Sequence, residues 1–207
     1  MRLRDLARET DTSEASIKYY LREGLLPPGR VVNARLSEYD ETHVARLRLI
    51  GGLRSIVGAS ISDLAALVRR IDDPTVSLFE LLGDAQRLGL GLAAADAGST
   101  EVEPRIVTEL IDRRGWGSEA VAVRRELAAH VAQMIDFGIP VTVETLERYA
   151  QAADVVARAD IGEVTAVDSR DEAALRTAVG SHSFGHLWLR LLAVAQASHA
   201  NAESTQA

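Results

Sequence analysis

The chain has 207 residues, enough for one large domain or for a small domain followed by a larger one. It contains no cysteine, which excludes disulfides, thiolate metal sites, iron–sulfur clusters and cysteine nucleophiles. The formal net charge is −7, yet residues 1–70 carry 12 Lys and Arg against 9 Asp and Glu, so a mildly basic N-terminal segment precedes an acidic body.

The chain shows no targeting or membrane signal. Its first residues, MRLRDLARET, lack the apolar core of a signal peptide, and no run approaches the roughly 18 apolar residues of a membrane span. The sequence therefore predicts a soluble cytoplasmic protein that has no membrane partner.

The first seventy residues predict a series of short elements. Helical periodicity indicates a helix over Arg4–Glu9, and Ser13 is a good N-cap for a second helix over Glu14–Arg22. The β candidate is the segment 30–39, a short hairpin. Helices over 41–57 and 61–71 follow. Helix, turn, helix and hairpin in this order predict a winged helix-turn-helix.

The Asp-Asp-Pro sequence at 72–74 predicts a domain boundary, and the pattern beyond it is helical. The predicted fold class is mainly α: an N-terminal winged helix-turn-helix with a short β-hairpin wing, followed by an all-α C-terminal domain. Gly180 and Gly185 leave open whether the last helix is continuous. The later helices are predicted over 78–95, 104–114, 118–137, 143–160 and 170–198. The predicted domains are 1–72 (DNA-binding), 75–95 (linker or dimerisation helix) and 96–207 (effector or dimerisation domain).

The second helix has the composition of an element that reads a DNA groove. Serine hydroxyls bond phosphate oxygens, Lys18 can reach a base edge or a phosphate, and tyrosine hydroxyls suit the backbone. Arg30 and Arg35 lie at the ends of the predicted wing. The alternative is that Tyr19 and Tyr20 are core residues and that Lys18 is a solvated charge. The predicted DNA-binding residues are Ser13, Ser16, Lys18, Tyr19, Tyr20, Arg30, Arg35 and Tyr39.

The first seventy-one residues contain six motifs in a fixed order. They are Leu3-x-x-Leu6-Ala7, Ser13-x-x-Ser16-Ile17-Lys18-Tyr19-Tyr20, Gly24-Leu25-Leu26-Pro27-Pro28, Tyr39-Asp40-Glu41, Arg46-Leu47-Arg48-Leu49-Ile50 and Gly58-Ala59-Ser60-Ile61. Through these motifs, residues 3–71 resemble the DNA-binding domain of the MerR family of bacterial transcriptional regulators. Lys18 stands where the family usually has arginine, which removes a bidentate contact, and Asn33-Ala34-Arg35 replaces the usual Gly-Tyr-Arg of the wing.

The resemblance implies a homodimer that binds an inverted repeat in double-stranded promoter DNA, deforms that DNA, and has RNA polymerase as a partner. It makes the helix from Leu78 the candidate dimer element, through an apolar stripe. The alternative is a shorter helix packed inside the body, because Gly83, Gly89 and Gly91 weaken a long coiled coil. No cofactor is expected. The stripe comprises Leu78, Leu81, Leu82, Ala85, Leu88 and Leu92.

Large apolar side chains of the C-terminal region are candidates for a ligand pocket. They suit a flat or apolar small molecule, whereas the alternative is that they are ordinary core. Glu144 and Glu147, beside Tyr149, suit a cationic ligand or a solvated helix face. The pocket candidates are Trp116, Met134, Phe137, Tyr149, Phe184 and Trp188.

His182 and His186 are four residues apart, as helical metal ligands are, but no third ligand is near them in the sequence. The alternative is a pair of core or interface histidines, and no metal site is predicted.

The predicted function is a DNA-binding regulator of MerR type, modulated through its C-terminal helices by an unknown small molecule. No hydrolase, phosphate-loop or metal-triad motif is present, so the chain is not expected to be an enzyme. The alternative is a ligand-independent adaptor that binds DNA and recruits a protein partner. An exposed apolar stripe at Leu187, Leu191 and Val194 or Ala195 would favour the adaptor, and burial of that stripe would exclude it.

Overall fold

The computed structural model describes residues 1–33, 36–92, 103–117, 121–160 and 169–206. Over these residues the protein is mainly helical with one two-stranded antiparallel hairpin, which confirms the predicted fold class. The elements are α1 (Leu3–Glu9), α2 (Glu14–Arg22), β1 (Arg30–Asn33), β2 (Leu36–Glu38), α3 (Glu41–Gly52), a π-helical turn (Leu53–Val57), α4 (Ile61–Asp72), α5 (Leu78–Gly89), α6 (Arg105–Arg114), α7 (Val121–Asp136), α8 (Val143–Asp160) and α9 (Arg170–Gln206).

The chain divides into two compact units. The first unit comprises Met1–Gly91 together with Val167–Ala207, and the second unit comprises Leu92–Ala166. The last helix, α9, therefore belongs with the winged helix-turn-helix, although the sequence predicted a continuous C-terminal domain over 96–207. None of the helices in the described ranges is both long and apolar enough to cross a membrane.

Local sequence signals fix most helix starts. Ser13 caps α2 by accepting a hydrogen bond from the Ser16 amide at 3.0 Å. Ser60 and Ser77 form capping boxes, in which the serine hydroxyl and an acidic residue three positions later each accept from the other residue's amide. Gly24 and Gly58 adopt left-handed conformations after α2 and the π-helical turn.

The core of the first unit joins the winged helix-turn-helix to α9. Leu6 from α1, Ile17 from α2 and Leu47 from α3 are buried in one cluster. The same cluster contains Ala174 and Ala178, which come from α9 more than a hundred residues later. This contact could not be predicted from the sequence, because the apolar pattern of α9 does not say which helix it faces.

Glycines allow α9 to approach its neighbours closely. A Cβ added at Gly89 of α5 would lie 2.1 Å from the Ala178 carbonyl oxygen, and one at Gly52 of α3 would lie 2.6 Å from a Leu175 methyl. The sequence predicted Gly89 to be a weak point of a coiled coil. Its role in the structure is instead to let two helix backbones touch.

The last helix begins with an arginine that binds the end of α4. The Arg170 guanidinium donates to the carbonyl oxygens of Ile71 at 3.0 Å, Val76 at 2.9 Å and Arg70 at 3.1 Å. Carbonyls at a helix C-terminus lack partners within the helix and attract a cation. Arg170 therefore fixes the start of α9 on the DNA-binding domain.

Several predicted helices differ from the structure at their ends. The helix predicted over 41–57 ends at Gly52 and continues as the π-helical turn. The helix predicted over 78–95 ends at Gly89, and residues 93–95 lie outside the described residues. The last helix runs without a break through Gly180 and Gly185 and extends to Gln206. A Cβ added at Gly180 would meet open space, so the helix loses only the intrinsic propensity of that residue there.

The second unit has a small core of its own. Val107 and Ile111 of α6 pack with Ala128 and Val131 of α7. Arg114, at the end of α6, is tied to α8 through an ion pair of 3.1 Å with Asp154. These contacts hold α6 to the two helices that follow it.

Candidate nucleic-acid interface

The second helix of the helix-turn-helix presents a polar face to solvent. Ile17 and Tyr20 are buried and hold α2 to the core, whereas Ser13 and Lys18 are exposed. The Ser13 and Ser16 hydroxyls lie 2.8 Å apart at the N-terminus of the helix. The N-terminus also carries positive partial charge and free amides, so this end of α2 suits a phosphate.

Exposed cations occur on α2 and on the preceding helix α1. Lys18 has no ion pair among the described residues, and Arg4 of α1 is exposed as well. The Arg22 guanidinium lies 5.2 Å from the centre of the Tyr19 ring and 3.4 Å from Glu23. Exposed pairs of this kind contribute little, on the order of 0–1 kcal/mol, so these arginines remain available to a polyanion.

Two arginines were predicted in the wing, and one of them, Arg30, lies within the described residues. Arg30 is exposed at the start of β1 and pairs with Glu38 of β2. This exposed pair neutralises the arginine in the free protein and is weak enough to exchange for a phosphate. Arg35 lies outside the described residues.

Tyr20 and Tyr39 lie in the core rather than on the surface, although both were predicted to contact DNA. Each is only 8% exposed. The Tyr39 ring packs edge-on against His43 at 5.1 Å, and burial raises the pKa of its hydroxyl. Its backbone also pairs with Met1, whose amino group donates to the Tyr39 carbonyl at 2.6 Å. These contacts favour a structural role for Tyr39, which holds the strand end to the N-terminus.

The start of α3 follows directly on the wing. Asp40 caps α3 by accepting from the Thr42 amide at 3.1 Å, and its carboxylate lies 2.8 Å from the His43 ring nitrogen. The hydrogen bond from the Thr42 hydroxyl, followed by that of His43, lowers the pKa of Asp40 to about 2. The carboxylate is therefore ionised wherever the protein works near neutral pH, and it stabilises the helix start.

A buried arginine connects three segments behind the α2 helix. Arg46 of α3 is 5% exposed and donates to the Leu25 carbonyl at 3.3 Å, next to the end of α2. It also pairs with Asp72 at 2.5 Å and with Asp171 of α9. Burial alone would lower the pKa of Arg46, but the hydrogen bonds to the two carboxylates raise it, so the side chain is always charged.

The comparisons with known proteins agree with this geometry. The sequence profile described as the MerR HTH family regulatory protein matches residues 1–71. The chain carries a MerR-family regulatory domain. The MerR-type domain covers α1 to α4, so its matched part includes the exposed face of α2 and the wing.

Two similar proteins match different shares of the chain. An HTH-type transcriptional regulator ZntR homolog of Haemophilus influenzae is 29% identical over 68 residues, which are 33% of this chain and 50% of that protein. The chain thus spans about half the length of this curated relative. The crystal structure of SCO5550 from Streptomyces coelicolor A3(2), described as a transcriptional regulator, has a TM-score of 0.66 at 28% identity. This likeness covers 96% of this chain and 95% of that chain.

The predicted ligand residues fall into two sets. Trp116 is half-buried and donates from Nε1 to Asp154 at 2.9 Å, which gives it a structural partner. Phe137 and Tyr149 are 78% and 55% exposed, and neither lies in the small core of the second unit. Met134 also belongs to the second unit, whereas Phe184 and Trp188 belong to α9 of the first unit.

The two histidines of α9 form a ring pair. Their centroids are 4.4 Å apart, and His182 Nδ1 lies 3.2 Å from the Gly89 carbonyl. No group of three or more potential metal-binding side chains occurs in the part of the chain that the structure describes. His182 therefore belongs to the contact between α5 and α9.

Sequence reasoning missed the role of Arg46. It lies between Val44 and Leu47, the apolar positions that point α3 into the core, and so it had the register of a buried residue. A cation at such a position is rarely buried without a partner, so the position of Arg46 in the sequence indicated a buried ion pair. The partners themselves, 26 and 125 residues away, have no local signature.

Proposed function

We propose that the protein is a DNA-binding transcriptional regulator that binds an inverted-repeat promoter site as a homodimer. The observation that carries this proposal is the polar face of α2, with half-buried Ser16 and exposed Lys18, on a MerR-type domain. The net charge of +3 over residues 1–70 releases few counterions, so two copies are needed for tight binding at physiological salt. A promoter site places the protein in the cytoplasm, with RNA polymerase as a neighbour.

Lys18 and the polar N-terminus of α2 have different roles in the proposed DNA contact. The serine hydroxyls and free amides at the helix start take a phosphate and fix the orientation of the helix. Lys18, one turn further along the exposed side, reaches a base edge or the next phosphate as a single point charge. Arg30 adds a backbone contact from the wing.

The test uses the full chain and a pool of randomised DNA duplexes, followed by affinity measurements on the selected site at several salt concentrations. We expect an inverted repeat to be enriched and Lys18→Ala to cost about 1–3 kcal/mol of specific binding if the lysine reads a base. A loss that is equal on all sequences assigns Lys18 to a phosphate.

Arg176→Ala is the matched control, because it removes the same charge from an exposed position of α9. It should bind the selected site like the parent protein. Failure to enrich any duplex, or unaltered binding by Lys18→Ala, would contradict the proposed function.

A second candidate is the adaptor that binds DNA and recruits a protein partner. It is favoured by the apolar stripe on α9, because Leu187, Leu191 and Val194 are 47%, 57% and 65% exposed. Burial of this stripe would have excluded the adaptor. A partner that co-purifies with the parent protein but not with a Leu187→Glu variant would support it. Modulation by a small molecule stays a prediction.

A further inference from the structure

We propose that Lys18 is a modification site, at which acylation of the side-chain amine by an activated acyl donor weakens DNA binding. The donor is a small acyl phosphate or acyl thioester, two classes that carry a carboxylic acid in the same reactive form. The inference rests on the proposed function, because it concerns the contact of α2 with DNA. It goes beyond that function by making this contact switchable through a covalent bond.

Lys18 is the only lysine in the chain. The other 22 of the 23 Lys and Arg residues are arginine, and no cysteine is present. A guanidinium stays charged at every physiological pH, whereas a lysine amine can be acylated and then loses its charge. The one cationic side chain that an acyl donor can convert to a stable neutral amide therefore lies on the helix that is proposed to read DNA.

The Lys18 amine is accessible in the folded protein. The residue is exposed on α2, and no ion pair or hydrogen bond engages its side chain among the described residues. Arg22, one turn further along, is engaged instead with the Tyr19 ring and with Glu23. A donor can therefore reach the Lys18 amine from solvent without breaking a contact of the folded chain.

Other nucleophiles of the DNA-binding domain are less available to an acyl donor. The amino group of Met1 donates to the Tyr39 carbonyl at 2.6 Å in a partly buried position. The Ser13 and Ser16 hydroxyls bond each other at 2.8 Å, and the Tyr20 side chain is buried. Among these groups, acyl transfer should therefore be concentrated at Lys18.

The reaction is an acyl transfer that needs no oxidant or reductant. The amine loses a proton to solvent and attacks the donor carbonyl, so that a C–N bond forms. The C–O bond of an acyl phosphate, or the C–S bond of a thioester, then breaks. Phosphate or thiolate leaves with the electron pair, and the nitrogen releases a second proton to solvent. The product is a neutral amide, which removes one of the three net positive charges of residues 1–70.

Acylation changes both the charge and the hydrogen bonding of the proposed contact. The ammonium offers three donors and a full charge to a base edge or a phosphate, whereas the amide offers one donor and no charge. Each copy on an inverted repeat would lose this contact, and fewer counterions would be released on binding. An arginine at position 18 could not be switched in this way, because acyl donors leave its charge in place.

The test treats the full chain with acetyl phosphate or, in a second arm, with acetyl-coenzyme A. Peptide mass spectrometry locates the added acetyl groups, and affinity for the selected duplex is measured before and after treatment. We expect Lys18 to be the main acetylated residue and the affinity to fall by about tenfold or more. The salt dependence of binding should decrease by about one released counterion per copy. The arm that modifies Lys18 faster identifies the donor class.

Two variants separate the effect of Lys18 from a general effect of the donor. Lys18→Arg contains no lysine, so its affinity, compared only with its own value before treatment, should not change. The double variant Lys18→Arg/Arg176→Lys moves the single lysine to an exposed position of α9. It should be acetylated there, yet its affinity should also keep its value from before treatment. Circular dichroism checks that the acetylated parent keeps its helicity.

The outcomes separate this inference from the proposed function. Acetylation of Lys18 by neither donor would overturn the inference. So would an acetylated parent that binds as tightly as the untreated one, or an equal loss of affinity in treated Lys18→Arg. In these three cases the proposed function stands, because the untreated parent still binds its duplex. An untreated parent that enriches no duplex would overturn the proposed function, and the inference with it.

Discussion

The two halves of α9 have opposite relations to the rest of the chain. The first half, from Arg170 to Ala178, is tied to α3, α4 and α5 by ion pairs, carbonyl contacts and buried alanines. The second half, from Phe184 onward, carries larger apolar side chains and leaves them exposed. Small residues allow close packing within one chain, whereas larger apolar side chains stay exposed where no element of the same unit covers them. One continuous helix thus has a half that packs in the core of the first unit and a half whose apolar side chains face solvent.

Among changes that test how the two halves of α9 differ, Arg46→Ala should have the largest effect on the free energy of unfolding. Removing the arginine leaves Asp171, which is 15% exposed, as a nearly buried carboxylate without its partner. We expect a loss of about 3 kcal/mol in the free energy of unfolding of the first unit. Urea unfolding measures it through Trp188, the only tryptophan that remains in a Trp116→Phe background.

Arg48→Ala is the control for this loss, since Arg48 lies on the same helix but is exposed. Its effect should stay within about 0.5 kcal/mol. Equal unfolding midpoints for the two variants would show that the start of α9 is not held by Arg46.

Gly89→Ala should have the next largest effect. The new methyl group would meet the Ala178 carbonyl at 2.1 Å, and two backbones would have to separate. We expect a loss of about 1–3 kcal/mol in the free energy of unfolding. Gly83→Ala, on the same helix with open space around the new methyl group, should instead stabilise the protein by up to about 1 kcal/mol. Thermal unfolding of both variants checks the sign, and a stabilising Gly89→Ala would contradict the close approach.

The smallest effect is expected in the second half of α9. Leu189→Ala should change the free energy of unfolding by less than about 0.5 kcal/mol, because Leu189 is 59% exposed. A large loss, measured by the same urea titration, would mean that this half is packed within its own chain.

Local signals made the DNA-binding domain predictable from sequence. The Ser13 cap and the four-residue spacing of Ile17 and Leu21 place α2 over Glu14–Arg22 in both the prediction and the structure. The end of the last helix was predicted less well, because glycine propensity alone does not show that Gly180 and Gly185 lie in one unbroken helix. Tyr39 was assigned to the surface because tyrosine suits both a core and a DNA backbone.

The packing of α9 on the winged helix-turn-helix was beyond sequence reasoning. Arg46 and Asp171 are 125 residues apart, and nothing in the spacing of either residue indicates the other. The predicted ligand residues show the same limit of sequence reasoning. Phe137 and Phe184 are the same residue type but belong to different units. Patterns of one helix reveal which face is apolar, whereas the partner of that face is set by tertiary structure.

The return of α9 to the first unit has a consequence for biosynthesis. A ribosome completes the MerR-type domain early, yet Arg46 has no Asp171 and the core has no Ala174 or Ala178 until the second unit has also been made. We expect the nascent N-terminal domain to stay partly open during that interval. Chains that stop before α9 should therefore be substrates for proteolysis. Proteolysis would then remove incomplete chains before they reach DNA.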